Sequence, residues 1–166
     1  MLGIVSNQMI DKSSIRTMLL SLGFKEDINS FISYNSWAIV CGLEMFESKA
    51  VSVVSDSDLY NLQELSSLVD GKLQNNAHLI CLLYLKYGLL FFEKLRGPFS
   101  ICILDKKKQK IIVATDRFGI KPVVYYFDGE TFIFSQRIKE IQALPQFRID
   151  EIDYEAVVDY INLSAI

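Results

Sequence analysis

The sequence predicts an α+β domain in which two antiparallel sheets pack face to face between layers of helix. Three observations carry that expectation. Short β-type runs come in pairs across tight turns, which makes antiparallel hairpins. Helical patterns lie at both ends of the chain and in its middle. The 166 residues, 51% of them hydrophobic, supply one domain with a core of its own.

Residues 1–6 are a short apolar start suited to a strand. From Asp11 a helix is expected, with Ile15, Met18, Leu19 and Leu22 on one face, Ser13 or Ser14 as cap and Gly23 as stop. Residues 31–42 form a β-rich run with Trp37, Ile39 and Cys41 on one side, and 51–54 are another short strand. Residues 56–65 make a strand-to-helix junction whose polar side chains suit the orphan N–H groups of a helix start; Leu62, Leu65 and Leu68 or Val69 give that helix its apolar face. Asn75-Asn76 caps a second helix over 78–86, apolar on most sides and so deeply packed, which Gly88 ends before one or two further turns.

The most informative stretch follows. Residues 99–104 and 110–114 read as strands joined by a charged turn, 105–109. The loop Asp116-Arg117-Phe118-Gly119-Ile120-Lys121-Pro122 carries both charge signs, a glycine able to take φ > 0 and a proline at the edge of the next strand, 123–127. Within it Asp116, Arg117 and Lys121 are expected to pair while Phe118 plugs the core. Asp128-Gly129-Glu130 turns the chain into 131–135. Residues 136–144 form a short helix stopped by Pro145, and Asp153 caps a last amphipathic helix through Ala156, Val157, Tyr160 and Ile161.

A net charge of −3 and a pI near 5.2 give no electrostatic case for nucleic acid. Lys106, Lys107 and Lys108 belong to a solvated turn. Cys41, Cys81 and Cys102 lack CxxC spacing and sit in or beside apolar runs, as buried free thiols of a reducing cytosol do. His78 has no second histidine to share a metal with. The apolar runs fall far short of a ~20-residue membrane span, and no signal-peptide pattern opens the chain. The expectation is a soluble, cytoplasmic domain that avoids membranes.

Residues 96–126, RGPFSICILDKKKQKIIVATDRFGIKPVVYY, continued by FIFSQRIKEIQALP, resemble the glutaminase domain of asparagine synthetases. That domain is a class II glutamine amidotransferase. DRFGIKP followed by paired tyrosines is the most specific match, and the resemblance runs from residue 1 to the end, strongest after Tyr87. It implies an αββα four-layer sandwich, the N-terminal-nucleophile hydrolase fold. It also implies a domain at 1–150, with 151–166 starting a linker helix toward a synthetase-type domain.

The family's reaction uses an N-terminal cysteine whose thiolate attacks the side-chain amide of glutamine while its own α-amino group serves as base. The residue at that position is Leu2, which has no nucleophilic atom and whose bulk discourages removal of Met1. Cys41, Cys81 and Cys102 bring no terminal amine. An upstream arginine holds the glutamine carboxylate in the family, yet no arginine lies between Arg16 and Arg96. The family's Asn-Gly-Glu-Ile-Tyr-Asn corresponds to Asp56, Ser57, Asp58, Leu59, Tyr60 and Asn61, so the oxyanion-hole asparagine and glycine have become Asp56 and Ser57. Asn76 stands where an aspartate binds the substrate amine, Thr115 replaces an arginine, and Gln136-Arg137 replaces Ser-Glu.

The expected function is a degenerate glutamine amidotransferase domain without glutaminase activity. Its role would be structural, or to dock an ATP-dependent amide-forming domain in the same or another chain; β-lactam synthetases and lasso-peptide cyclases carry degenerate domains of this kind. ATP and Mg would be needs of that second domain only, none being expected in this one. A second copy of the chain is the other candidate partner. Two alternatives stay open: an active glutaminase supplying ammonia through an unrecognised nucleophile, and a free-standing amino-acid-binding module.

Overall fold

The computed structural model describes residues 1–6, 31–34, 38–144 and 154–163. Two antiparallel sheets are present. The first has five strands, β1 (Leu2–Ser6), β2 (Phe31–Tyr34), β3 (Ala38–Cys41), β8 (Val124–Phe127) and β9 (Thr131–Ser135), in the order β2-β3-β1-β9-β8. The second has four, β4 (Glu44–Glu47), β5 (Val51–Ser57), β6 (Phe99–Asp105) and β7 (Lys110–Thr115), in chain order. Helix α1 (Leu62–Ser67), α2 (Asn76–Tyr87) and a 3-10 stretch (Gly88–Lys94) lie between β5 and β6; α3 (Ile138–Gln142) and α4 (Tyr154–Leu163) follow β9.

Strand alternation sorts the apolar residues into three layers. Val51 and Val53 on β5, and Phe99, Ile101 and Ile103 on β6, pack against Leu65 of α1 and Leu79, Ile80 and Leu83 of α2. Val54, Cys102 and Leu104, on the opposite faces of the same strands, meet Met1, Val40 and Phe134 between the sheets. Leu2, Ile4, Cys41 and Ile133 form the outer face of the first sheet and are covered by Ile141 and Leu144 at α3. Helix, sheet, sheet and helix stack in that order, which is the expected αββα sandwich. Strand β6 is buried along its whole length because both faces are covered and it has a neighbour on each side.

The expected β6–β7 hairpin forms, with Asp105 opposite Lys110. Its turn is organised by the Asp105 carboxylate, which accepts from the backbone N–H of Lys107 and Lys108, and Gln109 takes φ 51° to close it. Asn75 caps α2 as expected, its side chain accepting from His78 N–H at 2.9 Å. His78 stacks on Phe46 at 4.0 Å between ring centroids.

Several expectations need correction. The β-rich run 31–42 is two strands, since Tyr34 pairs with Ala38 in an antiparallel β2–β3 register. Strand β4 is an element the hydrophobic pattern missed: its four residues begin and end in glutamate, so period-2 alternation has almost nothing to act on. Asn61 precedes α1 but makes no side-chain cap; it donates to Lys94 C=O and accepts from Arg96 N–H, fastening the chain ahead of β6 instead. Phe118 does not plug the core but is 83% exposed. The helix expected from Asp11, its Gly23 stop, the Trp37 side chain, Pro145 and the Asp153 cap lie outside the described residues.

Candidate functional site

Strand β5 delivers Asp56, Ser57 and Asp58 to one end of the sandwich. The extended backbone turns Asp56 toward the space between the sheets and Ser57 toward the helical layer. Strand β9 and the turn after it bring Gln136 to the same end, next to Met1. The loop 116–122, entered from β7, brings Lys121.

These groups are joined by hydrogen bonds. The Met1 α-amino group donates to Gln136 Oε1. Gln136 Nε2 donates to Asp56 Oδ2 at 2.8 Å and to Ser100 Oγ at 2.9 Å. The other Asp56 oxygen, Oδ1, accepts from Lys121 Nζ, which also lies 3.0 Å from Asp58 Oδ2. Both Asp56 oxygens are therefore engaged inside the chain. Burial pushes the Asp56 carboxyl up, but the hydrogen bonds from Lys121 and Gln136 and the Lys121 charge outweigh it and hold it below its ordinary value. Asp56 is an anion at neutral pH. Burial likewise lowers the Met1 amine, against the pull of Cys41, Glu140 and Asp56.

Loop 116–122 owes its shape to Asp116 rather than to ion pairs within it. The Asp116 carboxylate accepts from the backbone N–H of Phe118, Ile120 and Lys121 and from Phe99 N–H on β6. Gly119 takes φ 63° in the middle of the turn. Lys121 is thereby free to pair across to β5, and Phe118 and Ile120 point into solvent.

Asn76, at the first turn of α2, donates from its side chain to Ser57 C=O at 3.3 Å. Asp56, Ser57, Asp58 and Asn76 thus lie around one strand end and one helix start. Leu2 does not join them. Its side chain is 1% exposed and packs on the outer face of the first sheet with Cys41, Ile133, Ile141 and Leu144. Cys41 stands directly opposite Leu2 in register, and its thiol donates to Leu2 C=O at 3.5 Å. Burial drives that thiol to a pKa of about 12, so it is a poor nucleophile at neutral pH.

Four participants are not legible as such in the sequence: Glu44, Ser100, Lys121 and Gln136. Lys121 stands inside the most recognisable motif, but its partners lie on another strand. Glu44 belongs to the missed strand β4, and its carboxyl is raised chiefly by burial, with the N–H groups of Asn76 and Ala77 pulling the other way.

The glutamine amidotransferase domain model matches residues 44–166, well over half of the chain. A glutamine-hydrolysing asparagine synthetase homologue of Methanocaldococcus jannaschii is 29% identical over 163 residues, covering 96% of this chain and 32% of the homologue. Asparagine synthetase 2 of Bacillus subtilis is 33% identical over 102 residues, covering 60% of this chain and 14% of its own length. The chain spans about a third or less of these relatives. Among solved structures, glutamine PRPP amidotransferase from B. subtilis, complexed with ADP and GMP, superposes with a TM-score of 0.56 at 14% identity over 86% of this chain and 36% of that one, which supports the sandwich fold. Sequence and fold agree, and the chain belongs to the glutamine amidotransferase domain family, with asparagine synthetases among its relatives.

Proposed function

We propose that this domain has given up glutamine hydrolysis and serves as a structural, partner-docking domain for an ATP-dependent amide-forming domain of the asparagine-synthetase type. The observation that carries the reading is the state of Asp56. An oxyanion hole needs neutral donors aimed at the developing charge. The resemblance assigns that position to Asp56, whose ionised carboxylate has both oxygens already paired, with Lys121 and Gln136. Leu2, whose side chain faces the outer layer of the first sheet, supplies no nucleophile.

The docking half of the reading draws on α4. Tyr154, Val157, Val158 and Ile161 recur at i, i+3, i+4 and i+7 and are all exposed, an apolar stripe of the kind that marks an interaction face. ATP and Mg would then be requirements of the partner, and glutamine would be neither its nitrogen source nor this domain's substrate. Three buried free thiols suit a cytoplasmic location, and no helix among the described residues is long and apolar enough to cross a membrane.

The competing reading, an active glutaminase with Cys41 as nucleophile beside the terminal amine, gains from the Leu2–Cys41 register. It loses to the burial of that thiol. Ammonia release from glutamine by the purified chain decides between them. We expect none above the protein-free blank; a protein-dependent rate abolished by Cys41→Ala would establish the competing reading.

A further inference from the structure

Gln136 is held at both ends of its side-chain amide. Its Oε1 accepts from the Met1 α-amino group, and its Nε2 donates to Asp56 Oδ2 at 2.8 Å and to Ser100 Oγ at 2.9 Å. Both N–H bonds and the carbonyl are therefore engaged. The orientation of the amide is fixed as well, because an ionised carboxylate only accepts and so faces the nitrogen. These are the contacts a bound primary carboxamide would make, and a side chain of the chain itself makes them.

The three receiving groups do not depend on Gln136 for their positions. Asp56 and Ser100 are direct cross-strand partners in the β5–β6 register, so they leave the second sheet side by side on one face. Lys121 holds Asp56 by its other oxygen, Oδ1. Ser100 is fully buried on a strand with a neighbour on each side. The Met1 side chain packs between the sheets with Val54, Cys102 and Phe134, which anchors the amine attached to it. Gln136 is only partly buried and lies in the turn between β9 and α3, followed by the exposed Arg137, Ile138 and Lys139. Its backbone N–H donates to Met1 C=O at 3.2 Å, so rotation about side-chain bonds alone carries the amide out while the turn stays in place.

We propose that Met1, Asp56 and Ser100 form a binding site for a small primary carboxamide, and that the chain keeps it closed with Gln136 as an internal ligand. The polarity of the three groups selects the class. A carboxylate ligand meets the Asp56 anion. An ammonium or amidinium ligand has no acceptor for the Met1 amine, and an amide alkylated on nitrogen leaves Asp56 and Ser100 without donors. A neutral amide with a free NH2 satisfies all three. A tethered side chain is present at high effective concentration, so an external amide competes poorly with Gln136 in the wild type. The site rests on the proposed reading of Asp56 as a paired anion rather than an oxyanion-hole donor, and it concerns binding, not hydrolysis.

Gln136→Ala removes the atoms of one acetamide molecule, which makes acetamide the probe. The test is thermal unfolding of the wild-type 166-residue chain, Gln136→Ala and Gln136→Met in acetamide, with sodium acetate and N,N-dimethylacetamide as controls at equal ionic strength. With a ~5 mM affinity, about 50 mM acetamide raises the Tm of Gln136→Ala by about 3–6 °C and that of the wild type by less than about 1 °C. Gln136→Met fills the space without donors and shows no such rise. A Gln136→Ala chain that is unfolded alone and folds in acetamide is the same result in stronger form. No acetamide response in Gln136→Ala, or an equal response in all three proteins, overturns the proposal, as expected if water or a direct Met1–Asp56 pair fills the gap. A rise that acetate or N,N-dimethylacetamide reproduces overturns it too. The loss of hydrolysis is read separately, by ammonia release from glutamine: a failed acetamide response leaves that loss standing, and ammonia release leaves this binding site standing.

Discussion

Lys121 and Asp56 lie 65 residues apart in sequence and form one ion pair that closes the end of the sandwich. The pair joins loop 116–122 to the end of β5, and Asp58 shares the same ammonium. The loop is shaped from within by Asp116 and tied down from without by Lys121. The family motif DRFGIKP is therefore a folded unit with one outward clamp.

Replacing Lys121 with methionine tests the clamp. It leaves half-buried Asp56 with Gln136 as its remaining partner, at a cost of about 1–3 kcal/mol after allowance for partial exposure. The pH dependence has a definite sign. The folded Asp56 carboxyl lies below its unfolded value, so its contribution is present above the unfolded pKa of ~3.9 and lost as pH falls through the folded value. Urea titrations at neutral pH and in strong acid are expected to show a gap between wild type and Lys121→Met that shrinks in acid. A gap that stayed constant would place the effect elsewhere than in the ion pair.

Gly97 explains the start of the motif at RGPF. It sits at φ 125°, and an added Cβ would lie 2.3 Å from Asp58 C=O and 3.1 Å from Leu59 Cα. Neither obstacle is a flexible side-chain end; both are backbone next to the candidate site. Asp58 N–H also donates to Pro98 C=O at 2.9 Å, and Tyr60 N–H to Arg96 C=O at 2.8 Å, so the two segments cannot easily part. Gly97→Ala is expected to destabilise by roughly 3 kcal/mol or more, combining backbone strain with overpacking. Chemical denaturation measures it; a loss below about 1 kcal/mol would mean the close approach is soft.

Tyr84 braces the hairpin turn against α2. Its hydroxyl donates to Asp105 Oδ2 at 2.8 Å, and both residues are buried. Burial pushes the Asp105 carboxyl up, but Lys108 N–H, the Tyr84 hydroxyl and the Lys108 charge together bring it below its ordinary value. Tyr84→Phe keeps the ring and removes one donor, and is expected to cost about 1–2 kcal/mol. The loss is expected at neutral pH and to fade in acid, because the folded Asp105 then protonates in both proteins. Parallel wild-type and Tyr84→Phe curves down to strong acid would count against the contact.

How much of this is legible in the sequence depends on the range of the interaction. The β6–β7 hairpin, the Asn75 cap, the Asp128 turn and the packing of Phe99, Ile101 and Ile103 all rest on neighbours within a few residues or on strand alternation, and each is readable. What escapes is set by tertiary partners. Asp116 is acidic and lies close to cations, so pairing within the loop is the natural expectation; the backbone N–H groups of a tight turn engage it first. Phe118 is aromatic but sits at the tip of that turn, exposed to solvent. Leu2 is readable as a residue with no nucleophilic atom, yet only the strand order shows that its side chain turns to the outer layer toward Cys41 and Ile141.

That geometry bears on Leu2→Cys. A cysteine at residue 2 permits removal of Met1, so a thiol and a free amine are both restored to the terminus. Removal of Met1 also takes its side chain from between the sheets, where Met1 packs with Val54, Cys102 and Phe134, and takes the amine that holds Gln136. Losing a buried methionine costs about 2–5 kcal/mol. The side chain at residue 2 points to the outer layer, whereas Asp56 and Gln136 lie at the inner end. Even a thiol that swings inward meets an ionised Asp56, a neutral Asn76 and no arginine between Arg16 and Arg96 for a carboxylate. On the proposed reading, two lost charge-assisted contacts at roughly 1.5–3 kcal/mol each and an oxyanion-hole defect of ~3 kcal/mol correspond, if independent, to about four to seven powers of ten in rate. Mass spectrometry after alkylation of the unfolded variant is expected to find a modified N-terminal thiol, while ammonia release from glutamine stays at the blank. Sustained turnover by this single variant would show that Asp56 and Asn76 are not the barrier, and would sink the reading of the pocket as degenerate.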